Sequence, residues 1–169
     1  MYMLDMLLDT VFSELFDDYM KKDALYKKLS EKAAFSSCIC HEMLSEEYYK
    51  YIIDIENSNC FFTSHCTSES LKYGFMAYVQ YYKNGVFPDM LKDGYEKSDN
   101  SYMDNECKAL EADYKKSIES GILNIPYLNH SYLYHLVNDF NVLRQHCTYL
   151  ACKYGFYSCY QIFRDLHVL

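Results

Sequence analysis

Residues 67–85 are the stretch that most constrains the fold of this chain. A helix drawn through them is apolar on nearly all sides, and four large side chains recur at helical spacing: Leu71, Phe75, Tyr78 and Tyr82. A helix of this kind is buried among other helices. Thr67 or Ser68 is suited to its N-cap and Gly85 to its C-terminal end. The segment therefore predicts the central buried helix of an all-α domain.

Length and composition favour a single helical domain spanning residues 1–169. Two prolines and five glycines are too few for the many turns of a β-protein. The formal net charge of −8 argues against a nucleic-acid binder, because phosphate contacts need clustered Lys and Arg side chains. It also argues against docking on anionic lipid by charge alone.

Eight cysteines raise the question of a disulfide framework. The first residues carry acids and lack the basic start of a secretory signal. We therefore expect mostly reduced, buried thiols in an intracellular protein.

One pattern resembles part of a metal site: Cys38, Cys40 and His41, with Cys60 and Cys66 able to complete it. Structural zinc sites usually show paired CxxC spacing, which is absent here, so buried free thiols are the expected interpretation. A haem ligand such as His135 or His146 is a further alternative, although a core or surface histidine is commoner. No phosphate loop, GxSxG or HExxH motif occurs. We predict no cofactor and no enzyme activity.

The first half of the chain divides into helices by its apolar periodicity. Residues 2–20 predict an amphipathic helix with an acidic outer face. A second helix is predicted over 23–43, with Asp23 as its N-cap, and a third begins at Ser45 and ends near Asn57. A short irregular or single-turn link over 59–66 would lead to the central helix.

The second half is less regular. Residues 92–106 are polar and predict an exposed loop. Asp104 is expected to cap a weakly amphipathic helix that Gly121 ends, and a strong helix follows from Asn129 or Ser131. The tail, 147–169, predicts two short helices broken at Tyr154-Gly155. We expect no internal repeat.

Two segments resemble sequence motifs of one protein family. Residues 72–81 resemble the first homology motif of the Bcl-two family of apoptosis regulators, and residues 149–163 are similar to the second. Gly74 and Gly155 match the motif glycines, and Tyr or Phe stands where the family has Trp. The resemblance implies a Bcl-type helical bundle, with a central buried hydrophobic helix wrapped by amphipathic helices and an insertion at about 92–125.

The departures from the family pattern concern the binding groove. The motif arginine that pairs with the aspartate of the bound helix is Phe75 here, and Lys72 is the nearest replacement. The third homology motif is poor, since Leu25 is kept but the glycine and aspartate are lost. The resemblance implies a hydrophobic groove for a partner helix, with these residues as candidates: Phe35, Ile39, Phe62, Cys66, Lys72, Phe75 and Tyr78. For the apolar ones, plain core packing is the alternative.

The function implied by the resemblance is inhibition of apoptosis. The protein would sequester the amphipathic death-ligand helices of pro-apoptotic Bcl family members, in the cytoplasm or at the mitochondrial outer surface, as a monomer or a homodimer. The poor third motif favours a pro-survival role, and the divergence favours a virus-encoded homologue. The alternative function keeps the fold but acts on innate-immune signalling without binding death ligands.

Overall fold

The described part of the protein is helical. The computed structural model describes residues 15–85, 87, 91 and 103–166, and no strand occurs among them. Four α-helices carry most of these residues: α1 (Ala24–Met43), α2 (Tyr49–Asn84), α3 (Asn105–Asn124) and α4 (His130–Asp165). The all-α prediction is confirmed, whereas the Bcl-type arrangement stays a prediction. Of the predicted helix over 2–20, only the helical residues 15–20 are described, and most of the predicted loop, 92–102, also lies outside the described residues.

Several helix ends agree with the sequence. The helix after Asp23 begins at Ala24. Asp104 is the N-cap of α3, and its carboxylate accepts a hydrogen bond from the backbone N–H of Cys107 at 2.7 Å. Gly85 follows α2 with a φ of 70°, the left-handed conformation that commonly ends a helix at glycine. Local chemistry therefore places these ends correctly.

The predicted interruptions of the long helices are wrong. Helix α2 continues through 59–66, so Thr67 and Ser68 lie inside it and cap nothing. Helix α4 continues through Tyr154-Gly155, and α3 passes Gly121 to end at Asn124. A glycine inside a helix costs only about 1 kcal/mol relative to alanine, and tertiary packing readily outweighs that preference.

The expectation of no internal repeat is also wrong. Helices α1 and α3 each have 20 residues, and α2 and α4 each have 36. Asn105 follows Ala24 by 81 residues, and His130 follows Tyr49 by the same 81 residues. A three-residue 3-10 helix precedes each long helix at the same offset, Glu46–Tyr48 in the first copy and Tyr127–Asn129 in the second. The four described α-helices thus form two copies of one helical arrangement.

Sequence identity at this offset is concentrated in one stretch. Of the 16 positions from His65 to Gln80, eight are identical 81 residues later. The identical pairs begin with His65-Cys66-Thr67 and His146-Cys147-Thr148, and continue with Lys72-Tyr73-Gly74-Phe75 and Lys153-Tyr154-Gly155-Phe156. Outside this stretch the copies mostly share helical structure rather than residue identity. The two segments that resemble family motifs are therefore equivalent parts of the two copies.

The contacts group into two compact units. The first unit takes its described residues from Met1–Asp23, Cys66–Met103 and Gln145–Leu169, and the second from Ala24–His65 and Asp104–Arg144. Each unit contains parts of both copies. The prediction of a single domain over 1–169 is not tested by this grouping.

In the first unit, α2 and α4 approach backbone to backbone at two glycines. A Cβ atom added to Gly74 would lie 2.7 Å from the carbonyl carbon of Cys152, and one added to Gly155 would lie 3.1 Å from that of Leu71. Leu71 and Cys152 are equivalent positions of the two copies, as are the glycines. The contact is therefore reciprocal, as in a twofold-symmetric dimer interface.

The core of the first unit beside this contact is aromatic. Ala77, Tyr78, Phe156 and Cys159 form a buried cluster. The ring of Tyr78 lies 5.1 Å from that of Phe156 and meets it edge to face, a favourable arrangement for aromatic pairs. Residues 67–84 are nevertheless not buried on all sides, because Met76 and Tyr82 are each 46% exposed. The prediction of an almost fully buried central helix is wrong in this respect.

The second unit has an aliphatic core made of matched residues. Ile52 and Ile55 of α2 and their equivalents Leu133 and Leu136 of α4 are all fully buried. Gly121 of α3 faces Ile55 and Leu133, at 3.1 Å and 3.3 Å from an added Cβ. These side chains come from both copies, and so the repeat builds this unit's core as well.

An ion pair between a buried carboxylate and an exposed lysine completes the second unit. Asp139 accepts hydrogen bonds from Lys32 Nζ and Ser36 Oγ, each at 2.7 Å. Burial opposes the charge of this carboxylate, but the bonds from Lys32 and Ser36 outweigh it and hold the pKa of Asp139 below its ordinary value.

Within the described ranges, no helix is both long enough and apolar enough to cross a bilayer.

Candidate functional site

Three of the seven predicted groove residues belong to the second unit. Phe35 is 66% exposed on α1, and Ile39, one turn later, is half-buried. Phe62 is buried instead, with the guanidinium of Arg144 4.3 Å from its ring centre. Phe35 and Ile39 thus offer surface, whereas Phe62 is packed as core.

The other four predicted residues belong to the first unit. Cys66 and Tyr78 are buried. Phe75 is half-buried and packs against the cluster that contains Tyr78. Lys72 Nζ lies 3.0 Å from Glu69 Oε1, so its charge is already engaged on its own helix. Their role in binding a partner stays a prediction.

A shallow groove of about 260 Å³ lies between α2 and α3 in the second unit. We call it the Phe61 groove; it is lined by Asp54, Asn57, Ser58, Phe61, Leu110, Asp113 and Ser117. The Phe61 side chain is 66% exposed, and a large apolar side chain in that position is available for a contact.

The hydroxyl groups of the Phe61 groove already have hydrogen-bond partners, whereas its two carboxylates lack a basic partner in the described part of the chain. The hydroxyls of Ser58 and Ser117 donate to the backbone carbonyls of Asp54 and Asp113, at 2.7 Å and 3.1 Å, and so they are satisfied within their own helices. Neither Asp54 nor Asp113 has a basic side chain within 4 Å among the described residues. The groove therefore combines the apolar side chains of Phe61 and Leu110 with two carboxylates that can attract a basic ligand.

A second depression, of about 410 Å³, lies in the first unit. It is lined by Tyr19, Tyr154, Tyr157, Ser158, Gln161 and Ile162. None of its described lining residues is charged, so this part of the chain lacks the electrostatic feature that distinguishes the Phe61 groove. We regard the Phe61 groove as the better-defined candidate for a partner site.

The repeat generates two His–Asp contacts. In the first unit, His146 Nε2 lies 2.9 Å from Asp23 Oδ1. In the second unit, the equivalent His65 Nε2 lies 3.3 Å from Oδ1 of Asp104. Cys107 joins only this second pair, and the ligand atoms of the three residues lie within 4.8 Å of one another. The N–H of Cys107, the largest influence, holds the pKa of Asp104 below its ordinary value.

The cysteine pattern singled out in the sequence has separate partners. Cys38 Sγ contacts Glu42, and Cys40 Sγ contacts the carbonyl oxygen of Tyr132. His41 Nε2 lies 3.3 Å from Glu56 Oε1. Six of the eight cysteines are buried, which agrees with the predicted burial.

Comparison with protein-family models, with curated proteins and with solved structures finds no match to this chain.

Sequence reasoning missed the residues of the Phe61 groove and the cluster at Asp104. The groove uses Phe61, which falls in the stretch interpreted as an irregular link. Asp54 and Phe61 are spaced i, i+7, and so are Leu110 and Ser117, but these positions can be paired only when both helices are known. The cluster joins His65 to a helix start 39 residues away. Comparison of the chain with itself at the 81-residue offset could have signalled the repeat but not this cluster, because Tyr26 stands in place of Cys107 in the other copy.

Proposed function

We propose that the protein is a helical interaction module, rather than an enzyme, and that the Phe61 groove binds an amphipathic helix of a partner protein. One observation carries the proposal: the side chains of Phe61 and Leu110 lie in an open groove beside two carboxylates that lack a basic partner among the described residues. An amphipathic helix can bury its apolar anchors in such a groove. Basic residues beside those anchors would meet Asp54 and Asp113, and complementary charge favours both encounter and specificity.

More specifically, we propose that the protein is an inhibitor of apoptosis. The partner helices would be death-ligand helices of pro-apoptotic Bcl family proteins, sequestered in the cytoplasm or at the mitochondrial outer surface. The support is the resemblance of residues 72–81 and 149–163 to motifs of that family. These segments are also copies of one repeat, so their joint presence counts as one observation rather than two. The alternative is interaction in innate-immune signalling without death ligands, and it is favoured by Phe75 in place of the motif arginine and by the insertion at about 92–125.

The test is a binding titration with fluorescently labelled helical peptides. The panel contains death-ligand helices and, for each, one version with lysines and one with glutamates beside the apolar face. We expect the lysine versions to bind more tightly, and the difference to shrink as salt is added, because exposed charges are screened. Changing Asp54 and Asp113 together to asparagine should remove most of that difference.

Two phenylalanines provide a matched pair of variants. Phe61 and Phe35 are each 66% exposed, but only Phe61 lines the groove. We expect Phe61→Ala to weaken binding at least tenfold, or about 1.4 kcal/mol, as loss of a central anchor does. Phe35→Ala should leave the affinity unchanged.

The outcomes separate the candidate functions. Loss of binding in Phe35→Ala, with normal binding in Phe61→Ala, would place the partner on the surface predicted from the sequence and contradict the Phe61 groove. If basic helical peptides bind but no death-ligand helix does, the result would contradict inhibition of apoptosis and support the signalling function. Failure of every peptide to bind would contradict the interaction-module proposal.

A further inference from the structure

The start of α3 and the middle of α2 bring three kinds of metal ligand together. His65 supplies an imidazole nitrogen, Asp104 a carboxylate and Cys107 a fully buried sulfur, all within 4.8 Å of one another. We propose that these three residues form a binding site for a divalent transition-metal ion, for which Zn²⁺ is the best-matched occupant. Zinc accepts this mixture of nitrogen, oxygen and sulfur ligands, whereas Mg²⁺ and Ca²⁺ prefer oxygen alone.

The distances fit a tetrahedral ion with a small adjustment. Zinc lies about 2.0–2.1 Å from a histidine nitrogen and about 2.0–2.2 Å from a carboxylate oxygen, so two such ligands are about 3.3–3.5 Å apart. His65 Nε2 and Asp104 Oδ1 are already separated by 3.3 Å. A sulfur about 2.3 Å from the ion would lie about 3.6 Å from that nitrogen. Cys107 Sγ is within 4.8 Å, and a modest movement of its side chain closes the difference.

Glu106 can serve as the fourth ligand. Its Oε2 lies 3.9 Å from His65 Nε2, and its side chain is 70% exposed and therefore able to turn toward the ion. Asp104 can bind the ion and still cap α3, because a carboxylate has about four lone-pair sites and the cap uses one. The positive end of the helix, equivalent to about half an elementary charge, opposes a cation. Three anionic ligands outweigh it.

The other copy of the repeat lacks this ligand set. At the 81-residue offset, the equivalents of His65 and Asp104 are His146 and Asp23, and these two keep their contact at 2.9 Å. Tyr26 stands in place of Cys107, and Leu25 in place of Glu106. A His–Asp contact alone is therefore part of the repeated architecture. The thiol and the second carboxylate are additions confined to the copy at α3.

Binding is a ligand exchange without oxidation or reduction. The Cys107 thiol gives its proton to solvent as the sulfur–metal bond forms, and water leaves the ion. The site is separate from the Phe61 groove residues, so it stands or fails independently of the proposed function.

The test is a Co²⁺ titration of the full, chelator-stripped protein, followed by absorbance. A reference protein with Cys38→Ser and Cys60→Ser removes the two exposed thiols. We expect one equivalent of Co²⁺ to bind with a near-ultraviolet thiolate charge-transfer band and the strong visible bands of tetrahedral coordination. One equivalent of Zn²⁺ should displace it. Binding of Co²⁺ without the charge-transfer band would overturn the proposal.

Two histidine variants form the matched control. His65→Gln should weaken Co²⁺ binding at least tenfold, whereas His41→Gln should not change it. His41 also lies 3.3 Å from a carboxylate, that of Glu56, but it belongs to no three-ligand cluster among the described residues. Cys107→Ser should abolish the charge-transfer band. Because Cys107 is buried and this variant can lose its fold, the partly exposed His65 carries the decision. Equal affinity in the His65→Gln and His41→Gln proteins would refute the site.

Discussion

The close contact of α2 and α4 predicts a sharp difference between glycines in the same kind of helix. In a Gly74→Ala protein, the new methyl group would lie 2.7 Å from the carbonyl carbon of Cys152 and 2.9 Å from its Cα, and still closer to its oxygen. These are backbone atoms that no rotamer change can move aside. The two helices would have to separate by on the order of 1 Å, which opens the packed cluster around Tyr78.

The size of the effect follows from two opposing terms. Overpacking a dense core costs about 1–3 kcal/mol, and an obstacle made of backbone places this case at the upper end. Replacing a mid-helix glycine by alanine returns about 1 kcal/mol of helix propensity. We therefore expect a net loss of about 2 kcal/mol in the free energy of unfolding. The reciprocal Gly155→Ala should behave alike, since its Cβ would meet the backbone of Leu71.

Gly121→Ala is the matched control. That glycine is also buried in a helix, but its added Cβ would meet only the side-chain ends of Ile55 and Leu133, at 3.1 Å and 3.3 Å. These ends can turn away, so the packing cost and the propensity gain should nearly cancel. Urea unfolding followed by far-ultraviolet circular dichroism measures all three variants.

The double variant tests whether the contact is reciprocal. Once Gly74→Ala has separated the helices, Gly155→Ala should add less than its own cost, so the two losses should fall short of additivity by about 1 kcal/mol. If Gly74→Ala were as stable as Gly121→Ala, or if the two losses were additive, the proposed backbone contact between the copies would be refuted.

Two further predictions concern the Asp139 carboxylate and the thiols. Because the folded pKa of Asp139 is lowered, its stabilisation is present above the unfolded value of about 3.9 and is lost as the pH falls through the folded value. Asp139→Asn should lower the free energy of unfolding by about 1.5–3 kcal/mol at pH 7, the range for hydrogen bonds to a charged group such as the one from Lys32. It should also make the midpoint of urea unfolding depend less on pH in the acid range. An unchanged dependence on pH would refute this. Two thiols, Cys38 and Cys60, should react rapidly with a thiol reagent in the native protein, because the others are buried and burial raises the pKa of Cys147 to about 12. A third fast thiol would show that a buried cysteine is accessible.

The helical class and several helix ends were determined by the sequence itself. Asp104 and Gly85 act on the backbone within one turn, so their effect depends little on distant residues. The burial of most cysteines followed in the same way from their chemistry.

Only the tertiary structure decided where the helices continue and what they bring together. The local sequence around Gly155 predicts a break between two helices. Gly155 nevertheless lies inside α4, because its missing side chain lets the backbone of α2 approach. The predicted groove residues that precede the first motif depended on helical phase, and that phase could not separate exposed Phe35 from buried Phe62.

The candidate sites depend on pairing between helices that are distant in the chain. Phe61 lines a groove only together with Leu110 and Asp113 on another helix. His65 belongs to a ligand cluster only together with Asp104, the N-cap of that same helix. Helical periodicity shows which residues share a face, but it carries no information on which face lies opposite. That choice is made by the packing of whole helices, whose free energy is summed over many weak contacts.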